Sequence, residues 1–265
     1  MDIRDRYLPP SLRRRQILAL AEVNGFVRVT ALAHRFGVSE VTVRLDLDAL
    51  ANEGHLIRIH GGALPAGDRR AEERTFERAS AEAPEEKAAI GLEAAGLVKS
   101  SQIVMLDAGS TTNAVSRALV EKTDVDDVLV VTNALPIAVE LELCFPRITV
   151  LMTGGTLRPN QHSLVNPFGD LLFGEVRADI AIVGCNGVTA EHGVTNMKMP
   201  EAEMKRAMLR AASRKILVAD STKIGTVSNT RIADIGDFDL LITTKLADAA
   251  EVARLRAGGL NVLQV

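Results

Sequence analysis

The stretch TALAHRFGVSEVTVRLDLDALANEGHLIRIHGG, residues 30–62, decides the N-terminal fold. It reads as a helix, a tight turn, a second helix and a short β-hairpin. Thr30 is placed to N-cap a first helix carrying Leu32, Ala33 and Phe36. Gly37 supplies the turn, where a backbone without Cβ is cheapest. Ser39 is placed to N-cap the second helix, its hydroxyl accepting a free first-turn N–H. Val43, Leu47 and Leu50 recur at helical spacing and mark the buried face. Ser39, Glu40, Thr42 and Arg44 mark the opposite face near the helix start. Gly54 stops the helix. Leu56, Arg58 and His60 then alternate with Ile57 and Ile59, giving a strand with basic groups on one side, closed by Gly61-Gly62. Two helices joined by a tight turn, hydrogen-bonding groups at the start of the second, and a basic hairpin after it make a winged helix-turn-helix.

Upstream, Leu12, Ile17, Leu18, Leu20 and Ala21 spread along a helix over 11–23, a third helix for the same core. Arg13, Arg14 and Arg15 lie at its start, either as a solvated basic end or as phosphate contacts that add affinity without sequence information. Residues 11–62 hold seven arginines against five acidic residues, while the whole chain carries a net −3. That local excess permits nucleic-acid binding without proving it.

Downstream, residues 64–85 are dense in Arg and Glu and read as a charged linker with a helical piece. From residue 86 apolar strands alternate with helices: strands at 103–106, 128–131, 148–152, 180–183, 216–219 and 240–243, with a last edge strand over 260–265. With 47% hydrophobic residues and only 3% aromatic ones, the apolar content is mostly Ala, Val, Leu and Ile, which suits a parallel sheet covered on both faces. The expected class is therefore α/β: residues 1–63 a winged helix-turn-helix domain, 64–85 a linker, and 86–265 a mostly parallel α/β domain.

Ligands of such sheets bind beyond the carboxyl ends of the strands. Polar and glycine residues collect there. Asp107, Gly109, Ser110, Thr111 and Thr112 follow the first strand and open a helix, either as an ordinary cap or as a phosphate site on free N–H groups. Thr132-Asn133 ends the second strand, Thr153-Gly154-Gly155-Thr156 the third, Gly184, Asn186 and Gly187 the fourth, and Asp220-Ser221-Thr222-Lys223 the fifth. Together they describe a pocket for a small, polar, anionic ligand. Lys223 and Lys205 are the candidate cations, although Lys205 could pair on the surface with Glu201 at i,i+4. Asp107 and Asp220 could accept from ligand hydroxyls or only orient their loops. Cys185 reads as a packed small residue rather than a nucleophile. Neither Cys144 and Cys185 nor His162 and His192 make a metal-ligand pattern, so no metal or cofactor is expected. No apolar run is long enough to cross a membrane and residues 1–10 are polar, so a cytoplasmic protein is expected.

These features resemble the DeoR family of bacterial transcriptional regulators, over about residues 12–246. The resemblance is carried by Val41-Thr42-Val43-Arg44-Leu45-Asp46-Leu47 and by the run from Gly54 through His55, Leu56, Ile57, Arg58, Ile59, His60, Gly61 and Gly62 to Ala63. Phe76-Glu77-Arg78, Glu86-Lys87, the 107–112 loop, Thr132-Asn133, Gly154-Gly155 and Asp220-Ser221-Thr222-Lys223 add to it. The resemblance implies a domain similar to the sugar-phosphate isomerase fold, a sugar phosphate as effector, repression of a sugar-utilisation operon and a homo-oligomer, dimer or tetramer. On that reading Thr42 and Arg44 contact double-stranded operator DNA in the major groove, Thr30 and Ser39 lie near the backbone, and Arg58 and His60 hold phosphate from the wing. The family often has Arg where this chain has Leu45, which would contact a thymine methyl or pack under the wing. The 186–196 segment is most similar to the branch associated with amino-sugar catabolism. The rivals are an isomerase-like enzyme with an appended DNA-binding module, Asp107 or Glu203 its base, and an activator using the same residues.

Overall fold

The computed structural model describes residues 8–24, 27–59, 61–65, 75–165 and 168–265. The chain divides into two compact units, residues 1–73 and 74–265.

In the first unit the helices are α1 (Pro10–Asn24), α2 (Val29–Phe36) and α3 (Glu40–Asn52), and the strands are β1 (Val27–Arg28), β2 (Leu56–Ile59) and β3 (Gly62–Pro65). The strands form an antiparallel sheet in the order β1-β3-β2. Ile17, Ala21, Leu32, Val43, Leu47, Leu50 and Leu56 form one core, so three helices and the hairpin share their apolar faces. Gly37 adopts φ 62 between α2 and α3, the left-handed turn that favours glycine. The expected Thr30 cap is corrected. Pairing of β1 with β3 carries the chain straight into α2, which starts two residues earlier with Arg28 at the N-cap and no side-chain cap. The Val29 N–H donates instead to the Gly61 carbonyl, 2.9 Å away. Ser39 caps α3 as expected, accepting from the Thr42 N–H at 3.1 Å. His60 lies outside the described residues.

The second unit begins with α4 (Phe76–Ala81) and α5 (Pro84–Gly96), both starting inside the stretch read as a linker. Its backbone is a seven-stranded sheet of β4 (Ile103–Leu106), β5 (Val128–Thr132), β6 (Ile148–Met152), β9 (Ala178–Gly184), β12 (Ala212–Val218), β14 (Leu240–Thr243) and β15 (Val262–Gln264). All six pairings are parallel, in the order β15-β14-β12-β9-β4-β5-β6. Alternate residues of each strand serve opposite cores. Val104 and Leu106 face one with Val130, Ile182 and Ile216, while Met105 faces the other with Val131, Val183 and Leu217. The first core is completed by α5, α6 (Ser110–Glu121) and α7 (Leu135–Glu142), through Ile90, Val115, Leu119 and Ile137. The second is completed by α9 (Met199–Ala211) and α10 (Ala249–Ala257), through Met204, Met208 and Leu255.

The sheet contains every strand read from the sequence. The additions are short. A hairpin of β7 (Thr156–Arg158) and β8 (Ser163–Val165) and the helix α8 (Phe168–Glu175) follow β6. A small antiparallel sheet joins β10 (Gly187–Thr189), β11 (Gly193–Asn196) and β13 (Thr230–Ala233). Three- and four-residue strands show no periodicity, and β13 pairs with a strand more than thirty residues away.

Candidate functional site

On α3 the groups read as DNA contacts share one solvent-facing surface. The Ser39 and Thr42 hydroxyls lie 2.9 Å apart, and Arg44 pairs with Glu40 one turn earlier at 2.8 Å. Val41 and Leu45 beside them are 63% and 64% exposed. Leu45 thus lies on the open surface of the helix. Thr30 is also exposed, on α2. Arg58 departs from the expected free cation. Its Nε donates to Asp48 of α3 at 2.7 Å and its Nη1 to the Gly62 carbonyl at 2.7 Å, which ties the hairpin to the helix. Arg13 departs further: it is buried, and its Nε donates to the buried Asp46 of α3 at 2.5 Å, with Arg14 on the other oxygen at 3.0 Å. Asp46 falls one turn after Thr42, on the inner face, where only a partner from α1 can neutralise it. A contact thirty-three residues away leaves no local pattern to read.

In the second unit the sheet order reverses beside β4. β5 and β6 lie on one side, and β9, β12, β14 and β15 on the other. The crevice at such a reversal is where open α/β sheets bind ligands. Asp107 stands there, 2% exposed. Its Oδ2 accepts from the Gly184 N–H at the end of β9, 3.0 Å away, and from the Lys205 ammonium of α9. Burial pushes the Asp107 carboxyl up from its ordinary range, and Lys205 and the Gly184 N–H pull it back. Lys205, 4% exposed, is thus no surface partner of Glu201. Glu201 instead binds Arg158 of β7 and Asn196 of β11, each at 2.8 Å.

Gly109 precedes α6 in an extended conformation with no side-chain cap on the helix, so the first-turn N–H groups beside Ser110, Thr111 and Thr112 face the strand ends uncapped. The Thr112 hydroxyl turns back to the Gly109 carbonyl at 2.9 Å. Asn133 exchanges contacts with Leu164 of β8 through its backbone and its amide nitrogen, leaving its Oδ1 buried without a hydrogen bond. Gly155 has φ 140, and a Cβ there would lie 2.3 Å from the Val165 carbonyl oxygen, so this glycine seats the β7–β8 hairpin. Gly154 lies beside Phe168. Asn186 accepts from the Met197 N–H at 2.8 Å and organises its own loop. Asp220 caps a short 3-10 turn with Oδ1 on Thr222, and its buried Oδ2 has no hydrogen bond. Lys223 closes that turn and makes no ion pair among the described residues. Burial pushes the Cys185 thiol up to about 12, so it stays protonated beside these groups. Among the described residues no group of three His, Cys, Asp or Glu could hold a metal, and no helix is long and apolar enough to cross a membrane.

Residues 13–66 match the DeoR-like helix-turn-helix domain and residues 82–245 match the DeoR C terminal sensor domain. The chain belongs to the DeoR family. It is 33% identical over 255 residues to the transcriptional regulator GolR of Listeria innocua, covering 96% of this chain and 98% of that one. It is 32% identical to the regulator GlpR of Haloferax volcanii, covering 96% and 97%. It is 28% identical to the transcriptional repressor CsqR of Escherichia coli, covering 95% and 94%. These DeoR-family relatives are named as regulators of transcription, which sets aside the isomerase reading. Glu86 and Lys87, which from sequence are only family-like, reach the same strand ends. Glu86 accepts from the Ser221 N–H and hydroxyl at 3.0 and 2.9 Å and from the Thr244 hydroxyl, and Lys87 lies 3.8 Å from Asp220. Their position at a helix start, ahead of the first strand, gave no hint that they reach two strand ends over 130 residues later.

Proposed function

We propose that this DeoR-family regulator represses a sugar-utilisation operon and is released from double-stranded operator DNA by a phosphorylated sugar. The observation that carries the reading is the uncapped start of α6 at the reversal of the sheet. Backbone N–H groups with the Ser110 and Thr111 hydroxyls offer a seat for a phosphate. Around it, Asn133 Oδ1 and Asp220 Oδ2 are buried acceptors without donors, suited to sugar hydroxyls. Lys205 and Lys223 add positive charge, and Gly109, Gly154, Gly155 and Asn186 shape the loops that enclose the seat. On the DNA side, Thr42 and Arg44 read bases while Ser39, Thr30 and the hairpin residues Arg58 and His60 lie along the backbone. Residues 1–63 carry this face and residues 86–265 the sensor, with 64–85 between them. A homo-oligomer, dimer or tetramer, presents two such faces to paired half-sites. The name of CsqR as a repressor supports the sign of regulation.

The test is thermal unfolding against a panel of phosphorylated sugars with the parent sugars as controls, followed by operator titration. A ligand specific for the folded state raises the transition with concentration. One phosphorylated sugar is expected to raise it and, at the same concentrations, to lower operator affinity. Loss of that response in Ser110→Ala/Thr111→Ala supports the phosphate seat. An unchanged response in that double variant removes it.

A further inference from the structure

The helix by which the chain enters the second unit is fastened to the strand ends that form the sensor site. α4 ends at a corner where Ala83 adopts φ 46 and ψ 50, a left-handed backbone in a residue that carries a Cβ, and Pro84 then opens α5. Such a conformation persists only when its surroundings hold it. The holding group is Lys87. Its side chain is buried, and its ammonium donates to the carbonyls of Ala79 and Glu82 in the last turn of α4. The same ammonium lies 3.8 Å from Asp220 Oδ2, beyond hydrogen-bond reach, and that oxygen has no donor of its own. Glu86, the preceding residue, is bound to Ser221 and Thr244. The first turn of α5 therefore holds the end of α4 on one side and the ends of β12 and β14 on the other.

Two neutral carbonyls are weak acceptors for a buried ammonium. An anion competes well for it, because charge-assisted hydrogen bonds are roughly twice as strong as those to neutral groups. We propose that Lys87 reports an anionic ligand in the sensor site to α4. The ligand draws the ammonium away from Ala79 and Glu82, and the corner at Ala83 slackens. Lys87 is then a positioning residue whose two sets of partners are the two states of the sensor. This inference rests on the sensor reading given above.

Hydrogen exchange of the 75–87 segment in the full chain tests it. The probes are inorganic phosphate, ribose 5-phosphate, glucose 6-phosphate and fructose 1-phosphate, with thermal unfolding measured alongside to show which of them bind. In the wild type a binding ligand is expected to speed exchange in this segment about tenfold or more. In Lys87→Met the segment is expected to exchange fast with and without ligand, and the ligand, having lost one charged contact, is expected to protect the 107–112 loop only at higher concentration. A ligand that raises the transition temperature but leaves 75–87 unchanged overturns the inference and leaves the sensor reading standing. Wild-type exchange in ligand-free Lys87→Met overturns it as well. If no probe raises the transition temperature, the sensor reading fails, and the inference fails with it.

Discussion

The face of α3 and the strand-end site hold their polar groups in opposite ways. On α3 the partners are neighbours in sequence, Ser39 with Thr42 and Arg44 with Glu40, and every one of them is open to solvent. At the strand ends Asp107 meets Lys205 across 98 residues, both buried, and Glu86 meets Ser221 across 135, both partly buried. A surface that reads a polymer has to present its groups to a partner that arrives from solvent, and the local pairs keep those groups oriented meanwhile. A pocket that recognises a small anion gains from a dry environment, where each charge acts strongly and an unpaired one is costly. The contrast lies in burial and not in which domain a residue belongs to, and it can be broken from either side.

The largest effect is expected at Lys205. Lys205→Met leaves the Asp107 carboxylate buried with the Gly184 N–H as its remaining donor. Stranding one partner of a buried pair costs about 3–5 kcal/mol. Calorimetry should show the second unit melting at a much lower temperature, and Asp107→Asn added to Lys205→Met should recover most of the loss. A single variant as stable as the wild type would mean that the pair is not ionised.

Somewhat less is expected at Asp46, the buried group of the first unit. Asp46→Asn strands Arg13, but Arg14 is partly exposed and can take up water. A loss of about 2–4 kcal/mol should follow, nearer the lower figures for broken buried pairs, with operator binding lost because the helices no longer pack. Retained folding with a shallower salt dependence of DNA binding would instead return Arg13 and Arg14 to the phosphate contacts considered from sequence.

These two sites mark how far the sequence could be read. Gly37, the Ser39 cap and the Val43, Leu47 and Leu50 face follow from spacing within one or two turns, and the structure places them as expected. The inner sheet strands were legible because they are runs of mostly apolar residues buried on both faces, and the edge strands β6 and β15 because apolar residues run through them although they are partly exposed. The strand-end loops were legible as a set, since Gly, Asn, Asp, Ser and Thr after a buried strand leave few other places for them to lie. What could not be read is pairing across the fold. Nothing beside Asp46 names Arg13, and nothing beside Asp107 names Lys205. Glu201 at i,i+4 offered Lys205 a nearer partner, which the structure gives to Arg158 and Asn196. The Thr30 cap failed for the same reason, because the bond that replaces it goes to Gly61, in the turn before β3.

Removing Arg44 should change function with little effect on folding. Its guanidinium is exposed and bonded only to Glu40, an i,i+4 pair of the kind worth a few tenths of a kcal/mol. Arg44→Ala should leave stability within about 0.5 kcal/mol of the wild type. It should weaken operator binding by about 1–3 kcal/mol, roughly five- to 150-fold, if the side chain reads a base. A footprinting titration at fixed salt checks this. Unchanged affinity would move recognition to Thr42, Val41 and Leu45 on the same face.

The smallest effect is expected at Glu77, and it tests whether the contrast is one of burial. Glu77 lies in the second unit but is held as the α3 groups are, exposed and bonded to His162 at 2.5 Å. The His162 hydrogen bond, then the backbone and Thr75, hold its carboxyl below the ordinary value of 4.5. A carboxyl whose pKa is lowered by folding contributes its full stabilisation above its unfolded value, and loses it as pH falls through the folded one. The docking of α4 should therefore be indifferent to Glu77 titration from neutrality down to about pH 4.5 and slacken slightly below it. Protection factors over 75–82 measured across that range should fall in the wild type and stay flatter in Glu77→Gln. Because the pair is open to solvent, its loss should be far smaller than the loss at Lys205 in the same unit. A comparable loss would show that position in the sensor unit, and not burial, sets the size of the effect.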